Sequence, residues 1–254
     1  MPDYCRNTTT RPHFHRANPV ADTSRLFTGK RERNKQDKLL RIKAAARDLF
    51  ISRGYDETTT REIALRAGVG RGTVFTYADN KRDLLFLIAN EDLEQVTRRA
   101  DASISPQISL IDNLLAISRS HYEYFQQQPD LSKLMLREMM FYDSGQQADR
   151  FKTTRERVIA MMVRAVEFAI ETKSIRTLEP AYAVGWMLFC IYQVELRQWL
   201  AAGEASLETG LRRLAKTLKL AINGVSPSPT AIERRGPRTG KVLHTAQKRL
   251  RKRP

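Results

Sequence analysis

Apolar residues recur at helical spacing from just after Lys35. Leu39, Ile42, Ala46, Leu49 and Phe50 share one face, and Gly54 follows as a stop. Thr59 and Glu62 then have the form of a capping box, in which each side chain satisfies an orphan N–H of a helix's first turn. This predicts a short second helix running to about Ala67 and ended by Gly68. A third short helix is expected over 71–77. Asn80, with Asp83 three residues on, starts a long fourth helix near 80–99 through Leu84, Leu85, Leu87, Ile88 and Leu93. Beyond Arg99, breaks at Pro106, Pro129, Gly145 and Pro180 leave amphipathic segments near 107–128, 131–143, 147–172, 180–202 and 204–223. No long stretch alternates apolar and polar residues as a half-buried strand does, and no internal repeat is visible. The expected fold is all-α.

A length of 254 residues exceeds the usual single compact domain, and 41% hydrophobic residues suffice for a real core. The net charge of +16 is uneven: +4 over 1–33, +3 over 34–100, +1 over 101–225 and +8 over 226–254. Residues 1–33 mix Pro, Thr, Asn, Arg and His without helical period. Residues 226–254 hold Pro227, Pro229, Pro237 and the basic ending Lys248–Arg253. Both ends are expected to be disordered basic arms. Four parts follow: an arm at 1–33, a first helical domain at 34–99, a second at 100–225 and a tail at 226–254. Basic ends attract polyanions, but a charged tail can equally be no more than solvated.

Several function classes are excluded or disfavoured. Cys5 and Cys190 form no CxxC and have no His cluster beside them, so neither a disulfide framework nor a zinc site is expected. Cys190 reads as a small core residue. His13 and His15 form an H-x-H pair, but a mobile arm gives a metal no fixed geometry. The longest uncharged stretch, Ala181 to Val194, is too short to span a bilayer. With no apolar run of signal-peptide length in residues 1–30, a soluble cytoplasmic protein is expected. No Ser/His/Asp set, metal cluster or phosphate loop points to an enzyme, and no cofactor is expected.

The segment Thr58–Leu85 has the layout of a helix-turn-helix, two short helices joined by a Gly-containing turn and packed on a preceding helix. In such a device the first helix of the pair crosses the DNA backbone and the second lies in the major groove. Ile63, Ala64, Ala67, Val69 and Val74 are spaced to form a small shared core. That frees Thr60, Arg61, Arg71, Thr73, Phe75, Thr76 and Tyr77 to face outward. Arg can bond guanine O6 and N7 together, and Thr or Phe can touch a thymine methyl. The hydroxyls of Thr59 and Tyr77 and the charge of Lys81 suit phosphate oxygens. Gly72 lets the backbone approach the sugar-phosphate ridge.

These residues resemble the tetracycline-repressor (TetR) family signature. It stands here as Thr59-Thr60, Ile63-Ala64, Ala67-Gly68-Val69, Gly72-Thr73-Val74-Phe75, Tyr77, Lys81 and Leu84. Ala44–Phe50 and Gly54-Tyr55 are similar to the first helix of that family. The detailed likeness covers about 35–95, with a looser one through Pro129–Met140 and the apolar helix after Pro180. Three positions depart from the pattern: Gly70 replaces a capping Ser, Phe75 a Tyr, and Ala78 a large aromatic. The last would leave a small void unless Leu85 or Phe86 fills it.

The resemblance implies an N-terminal three-helix DNA-binding domain and a C-terminal helical domain for ligand binding and dimerisation. It implies a sequence-specific repressor acting on double-stranded operator DNA as a homodimer and released by a small-molecule effector. Two recognition helices would enter successive major grooves, and the effector would change their separation through the long fourth helix. Dimerisation is expected through about 180–223. The expected stripe comprises Ala183, Trp186, Met187, Cys190, Val194 and Trp199, then Leu207, Leu211, Leu214, Leu218 and Ile222, with burial inside one subunit as the alternative. The family's ligand pocket lies among the middle helices, where the candidates are His121, Tyr122, Phe125, Met139, Tyr142, Trp186 and Phe189. Met135, Met140, Phe141 and Tyr192 form a wider set, and any of these can equally be plain core. Glu138 and Glu195 could recognise a cation or pair with Arg137 and Arg197. An alternative function remains, a non-specific DNA organiser that binds through its basic tails.

Overall fold

The computed structural model of the chain describes residues 23–203 and 206–224, with side chains from Gly29 onward. Among the described residues the chain forms nine α-helices and no strand. They are α1 (Thr23–Ser52), α2 (Thr60–Arg66), α3 (Arg71–Phe75), α4 (Lys81–Asp101) and α5 (Leu110–Gln126), followed by α6 (Pro129–Glu138), α7 (Ala148–Glu171), α8 (Ala181–Ala201) and α9 (Leu207–Asn223). A 3-10 turn, Met139–Phe141, extends α6. No described helix is long and apolar enough to cross a membrane.

The first helix starts ten residues before the end of the expected arm, which corrects the boundary at residue 33. Residues 29–38 are all exposed, so this part of α1 has no buried face for hydrophobic periodicity to reveal. Its Lys, Arg, Glu and Gln residues are good helix formers nonetheless. The rest of that arm and the tail at 226–254 lie outside the described residues, as do Cys5, His13 and His15.

Helices α1–α3 close around a small core of Ile42, Ala46, Phe50, Ile63, Ala64 and Val74, all buried. Each large member contributes roughly 1.5–3 kcal/mol by leaving water. The capping box is present: the Thr59 amide donates to Glu62 Oε2 at 2.9 Å and the Glu62 amide to Thr59 Oγ1 at 3.2 Å. Gly68 takes a φ of +62°, a left-handed turn that glycine enters without strain. Gly70 caps α3 from extended backbone with no side-chain bond.

Helix α4 is the spine. It packs on α1 on one side and on α5 and α7 on the other, so Leu84–Asn90 is buried without interruption. Helices α7 and α8 cross closely where a Cβ on Gly185 would lie 2.9 Å from the Val163 backbone.

The stripe expected along α8 and α9 splits in two. Trp186, Met187, Cys190 and Val194 are exposed on α8, as is Ala183. Trp199, Leu211, Leu214 and Leu218 are buried inside the subunit, where α9 packs on α5 and α8. For this second set, burial within one subunit holds. Cys190 is likewise no core residue.

Candidate nucleic-acid interface and the cavity behind it

Helix α3 has five residues, and only Val74 points fully inward. Arg71, Gly72, Phe75 and Thr76 are exposed, and Thr73 is half-buried. Arg71 lies over the Phe75 ring at 5.6 Å, so the cation and the apolar edge form one outward patch. A Cβ on Gly72 would meet nothing within 4 Å, which leaves the backbone open to close approach. Thr76 Oγ1 donates to Thr73 O at 2.7 Å and thereby satisfies a carbonyl at the helix end. On α2, Arg61 is exposed and Thr60 half-buried, while Thr59 is engaged in the capping box. Its amide and hydroxyl hold the Glu62 carboxyl below the usual carboxylate range.

Two predicted contacts have other partners. The Tyr77 hydroxyl donates to Lys35 O at 3.1 Å and ties the end of α3 to α1. Lys81 Nζ donates to Tyr55 O at 2.7 Å and Asp56 O at 3.1 Å, and sits 4.4 Å from the Tyr55 ring centroid. Both residues brace the scaffold behind the exposed patch. In this arrangement their bonds complete free backbone carbonyls.

A buried carboxylate joins this unit to the rest of the molecule. Asp83 is fully buried. Its Oδ2 accepts from the amides of Asp79 and Gln146 at 2.9 Å, and its Oδ1 from the Gln147 amide at 2.9 Å and from the Tyr142 hydroxyl. Gly145 fits only without a side chain, because its φ is +123° and a Cβ would lie 2.7 Å from Asp83 Oδ1. Gln146 Nε2 reaches Phe75 O at 3.1 Å and Gln147 Nε2 reaches Tyr77 O at 3.0 Å. Arg82 bonds Glu138 at 2.8 Å and Phe141 O at 3.2 Å. The segment between α6 and α7 is therefore fastened directly to the end of α3 and the start of α4. Sequence reasoning took Asp83 only as a helix-start residue, because nothing local shows which distant amides a carboxylate will meet.

A cavity of about 280 Å³ lies among α4–α8. Four predicted pocket residues line it: His121, Phe125, Met139 and Phe189; Met140 and Tyr192 of the wider set join them. The other three lie elsewhere. Tyr122 stacks on Trp199 at 4.7 Å, Tyr142 stacks on Phe86 at 3.7 Å, and Trp186 faces outward. Thr97, Thr154, Arg155, Gln193 and Arg197 also line the cavity, and sequence reasoning did not select them for it. The available signal was polar residues on helix faces otherwise apolar.

The cavity's polar groups are few. His121 Nδ1 is 2.9 Å from Ile117 O, so it carries the proton and donates, leaving Nε2 to accept from Thr97 Oγ1 at 3.5 Å. Burial lowers the pKa of His121 and keeps the ring neutral. Arg197 is half-buried and bonds Gln193 Oε1 and Leu136 O. Among the described residues no carboxylate pairs with it. Glu195, one of its expected partners, is taken by Arg213 at 2.6 Å, and Glu138 by Arg82 and Arg137. No group of three or more His, Cys, Asp and Glu able to hold a metal occurs among the described residues.

Residues 42–88 match the family model described as bacterial regulatory proteins, tetR family. The fatty acid metabolism regulator protein of Bacillus subtilis (strain 168) is 28% identical over 90 residues, 35% of this chain and 46% of that protein. The chain spans about half the length of the curated relatives it matches, from 46% to 57%. Among solved structures, the transcriptional regulator FadR from Bacillus subtilis in complex with stearoyl-CoA superposes with a TM-score of 0.59 at 18% identity. That match covers 74% of this chain and 99% of the other. Thermus thermophilus FadR, a TetR-family transcriptional repressor in complex with lauroyl-CoA, gives 0.57 at 24% identity over 75% and 97% of the two chains.

Proposed function

We propose that the chain is a sequence-specific transcriptional repressor, a reading supported by the match of residues 42–88 to the tetR family model and by the superposition of its helices on a TetR-type two-domain plan. It acts as a homodimer on operator DNA and is released by an amphiphilic effector held in the α4–α8 cavity. The observation that carries the DNA-binding reading is the outward patch of Arg71, Thr73, Phe75 and Thr76, raised on a helix that only Val74 anchors. These side chains have the donor and methyl-contacting chemistry that reads major-groove edges.

The dimer reading is supported by the exposed apolar stripe on α8, with Trp186, Met187 and Val194 more than two-fifths exposed. An apolar helix face of this kind suits a symmetric helical interface.

The effector reading rests on the cavity. Its size is close to the lower end of the range for small-molecule sites, about 300–1,000 Å³. Phe125, Leu136, Phe151 and Phe189 supply apolar walls suited to an acyl chain. Arg197 in the wall and exposed Arg155 supply cations suited to an anionic head. The two FadR structures hold acyl-CoA molecules, and that ligand class fits these walls. Met139 and Met140 line the cavity two and one residues before Phe141, whose carbonyl accepts from Arg82 at the start of α4. A ligand that displaces this turn pulls on α4 and shifts the two recognition helices relative to each other. A half-site separation fixed at one helical turn, about 34–36 Å, then no longer fits the duplex.

Selection of random duplexes by the purified chain tests this reading, followed by titration of the enriched duplex with lauroyl-CoA or stearoyl-CoA, with free CoA as the control. A palindromic enriched sequence and its release by the acyl-CoAs alone are expected. Binding without sequence enrichment contradicts the repressor and favours the non-specific organiser. Enrichment without release contradicts the effector class.

A further inference from the structure

We infer that the N-terminal half of α1, residues 23–38, is a second DNA-contacting element, with Arg31, Lys35 and Lys38 gripping the phosphate backbone beside the groove that α3 enters. This rests on the DNA-binding reading above and adds residues outside the helix-turn-helix.

The argument begins with register. Arg31, Lys35 and Lys38 recur at intervals of four and three, and the same row continues through Ile42, Ala45 and Leu49. Downstream, the row is the seam of α1 against α2 and α4: Ile42 and Ala45 are buried and Leu49 packs on that core. Upstream, the seam turns basic where the helix leaves the bundle. The basic stretch therefore continues, fully exposed, the same face of the helix that packs on α2 and α4.

Two contacts fix its position. The Tyr77 hydroxyl, just beyond α3, reaches Lys35 O at 3.1 Å. Arg41 Nη1 lies 3.3 Å from where a Cβ on Gly68 would sit, at the turn before α3. The helix thus passes the end of α3 and continues. At 1.5 Å per residue, the stretch from Lys38 back to Thr23 reaches about 22 Å further.

Charge makes the stretch a poor candidate for packing on protein. Residues 29–38 are all exposed. Between Gly29 and Arg41 the sequence has six basic and two acidic side chains. Arg33 on the opposite face turns back to Gly29 O, and Asp37 is paired with Arg41 at 3.1 Å. Among the described residues, no carboxylate pairs with Arg31, Lys35 or Lys38. A duplex seated on α3 presents one negative charge per roughly 1.7 Å of axis, and its nearest phosphate ridge would flank the groove on this side. Side chains of this kind fix position on the duplex without reading bases.

The test is the salt dependence of binding to the selected operator. The variant Arg31→Gln/Lys35→Gln/Lys38→Gln keeps good helix formers and leaves the Lys35 carbonyl for Tyr77. Each lost phosphate contact lowers the slope of log K against log salt by about 0.9, so the slope is expected to fall by about 2–3 per protomer. Affinity for operator and for unrelated duplex should fall together, by roughly ten- to a hundredfold at physiological salt. Arg33→Gln should leave the slope unchanged. The inference is overturned if the triple variant keeps the parent slope, which makes the stripe a merely solvated face. It is also overturned if Arg33→Gln lowers the slope as much per charge, or if the triple variant loses operator preference rather than overall affinity. Failure of the parent chain to bind any duplex overturns the DNA-binding reading itself, whereas a parent that binds and a variant that behaves like it removes only this inference.

Discussion

The tip of the molecule and its interior place their functional chemistry in opposite settings. At the tip, Arg71, Thr73, Phe75 and Thr76 stand outward from a helix of five residues and bury little. In the interior, Phe125, Phe189 and His121 are buried, and the cavity they line draws on five helices. Changes at the tip should therefore alter binding and leave stability alone, since exposed side chains contribute little to folding. Changes around the cavity should alter stability first. Between the two, Asp83 belongs to both settings, being buried like the cavity and bonded to the segment that follows the tip.

The strongest way to break this comparison is Phe189→Ala. Removing a buried aromatic ring is expected to cost about 3–5 kcal/mol, read as a lower melting temperature, while operator affinity measured well below that temperature stays at the parent value. A variant that remained folded yet lost its operator would mean that the cavity wall also sets the arrangement of the recognition helices, so that the two regions are not separable.

Asp83→Asn sharpens the comparison at its middle. An amide in place of the carboxylate turns one acceptor into a donor, facing groups that all donate to it. Roughly 1–3 kcal/mol of stability should be lost in denaturant unfolding. Operator binding should survive with a reduced response to effector. An effector response equal to the parent's would show that Asp83 supports the fold without linking the two regions.

Tyr77→Phe should cost only about 0.5–1.5 kcal/mol, the net contribution of its one bond to Lys35 O, and should leave operator binding within a few-fold of the parent. A large loss of affinity at unchanged stability would restore the hydroxyl to the DNA surface.

The smallest effect concerns pH. The folded-state pKa of His121 is lowered by burial beneath its ordinary 6.5. Above pH 6.5 the ring is neutral whether the chain is folded or unfolded, so its contribution is fully present. As pH falls below 6.5 the unfolded chain takes up the proton first, and stability declines down to the folded-state pKa. His121→Gln should flatten the fall in melting temperature between pH 7 and pH 5. An unaltered pH profile would contradict the assignment.

The two regions also differ in how far sequence reveals them. The tip was legible because its determinants are contiguous: Thr59 and Glu62 cap each other, Gly68 and Gly70 mark the turn, and Val74 is the one inward residue of α3. The helices of the interior were legible from their breaks at Pro129, Gly145 and Pro180. The membership of the cavity was only half legible. Tyr122, Tyr142 and Trp186 have the same composition and spacing as His121 and Phe189, and only the way α5, α7 and α8 cross decides which of them meet one space. The brace roles of Tyr77 and Lys81 were hidden for a related reason, since their partners are backbone carbonyls 42 and 25–26 residues away. The first eleven residues of α1, which lie within the expected arm, escaped notice because an unpacked helix leaves no hydrophobic period.

The central claim is that the outward side chains of α3 read DNA while the fold behind them stays indifferent to their loss. Protection of the selected operator from nuclease, compared between the parent chain and Arg71→Ala, tests it most directly when both proteins are first shown to share one melting temperature. The account predicts an unchanged melting temperature and loss of protection over both half-sites in the variant. Full protection by Arg71→Ala at the parent's affinity would contradict it.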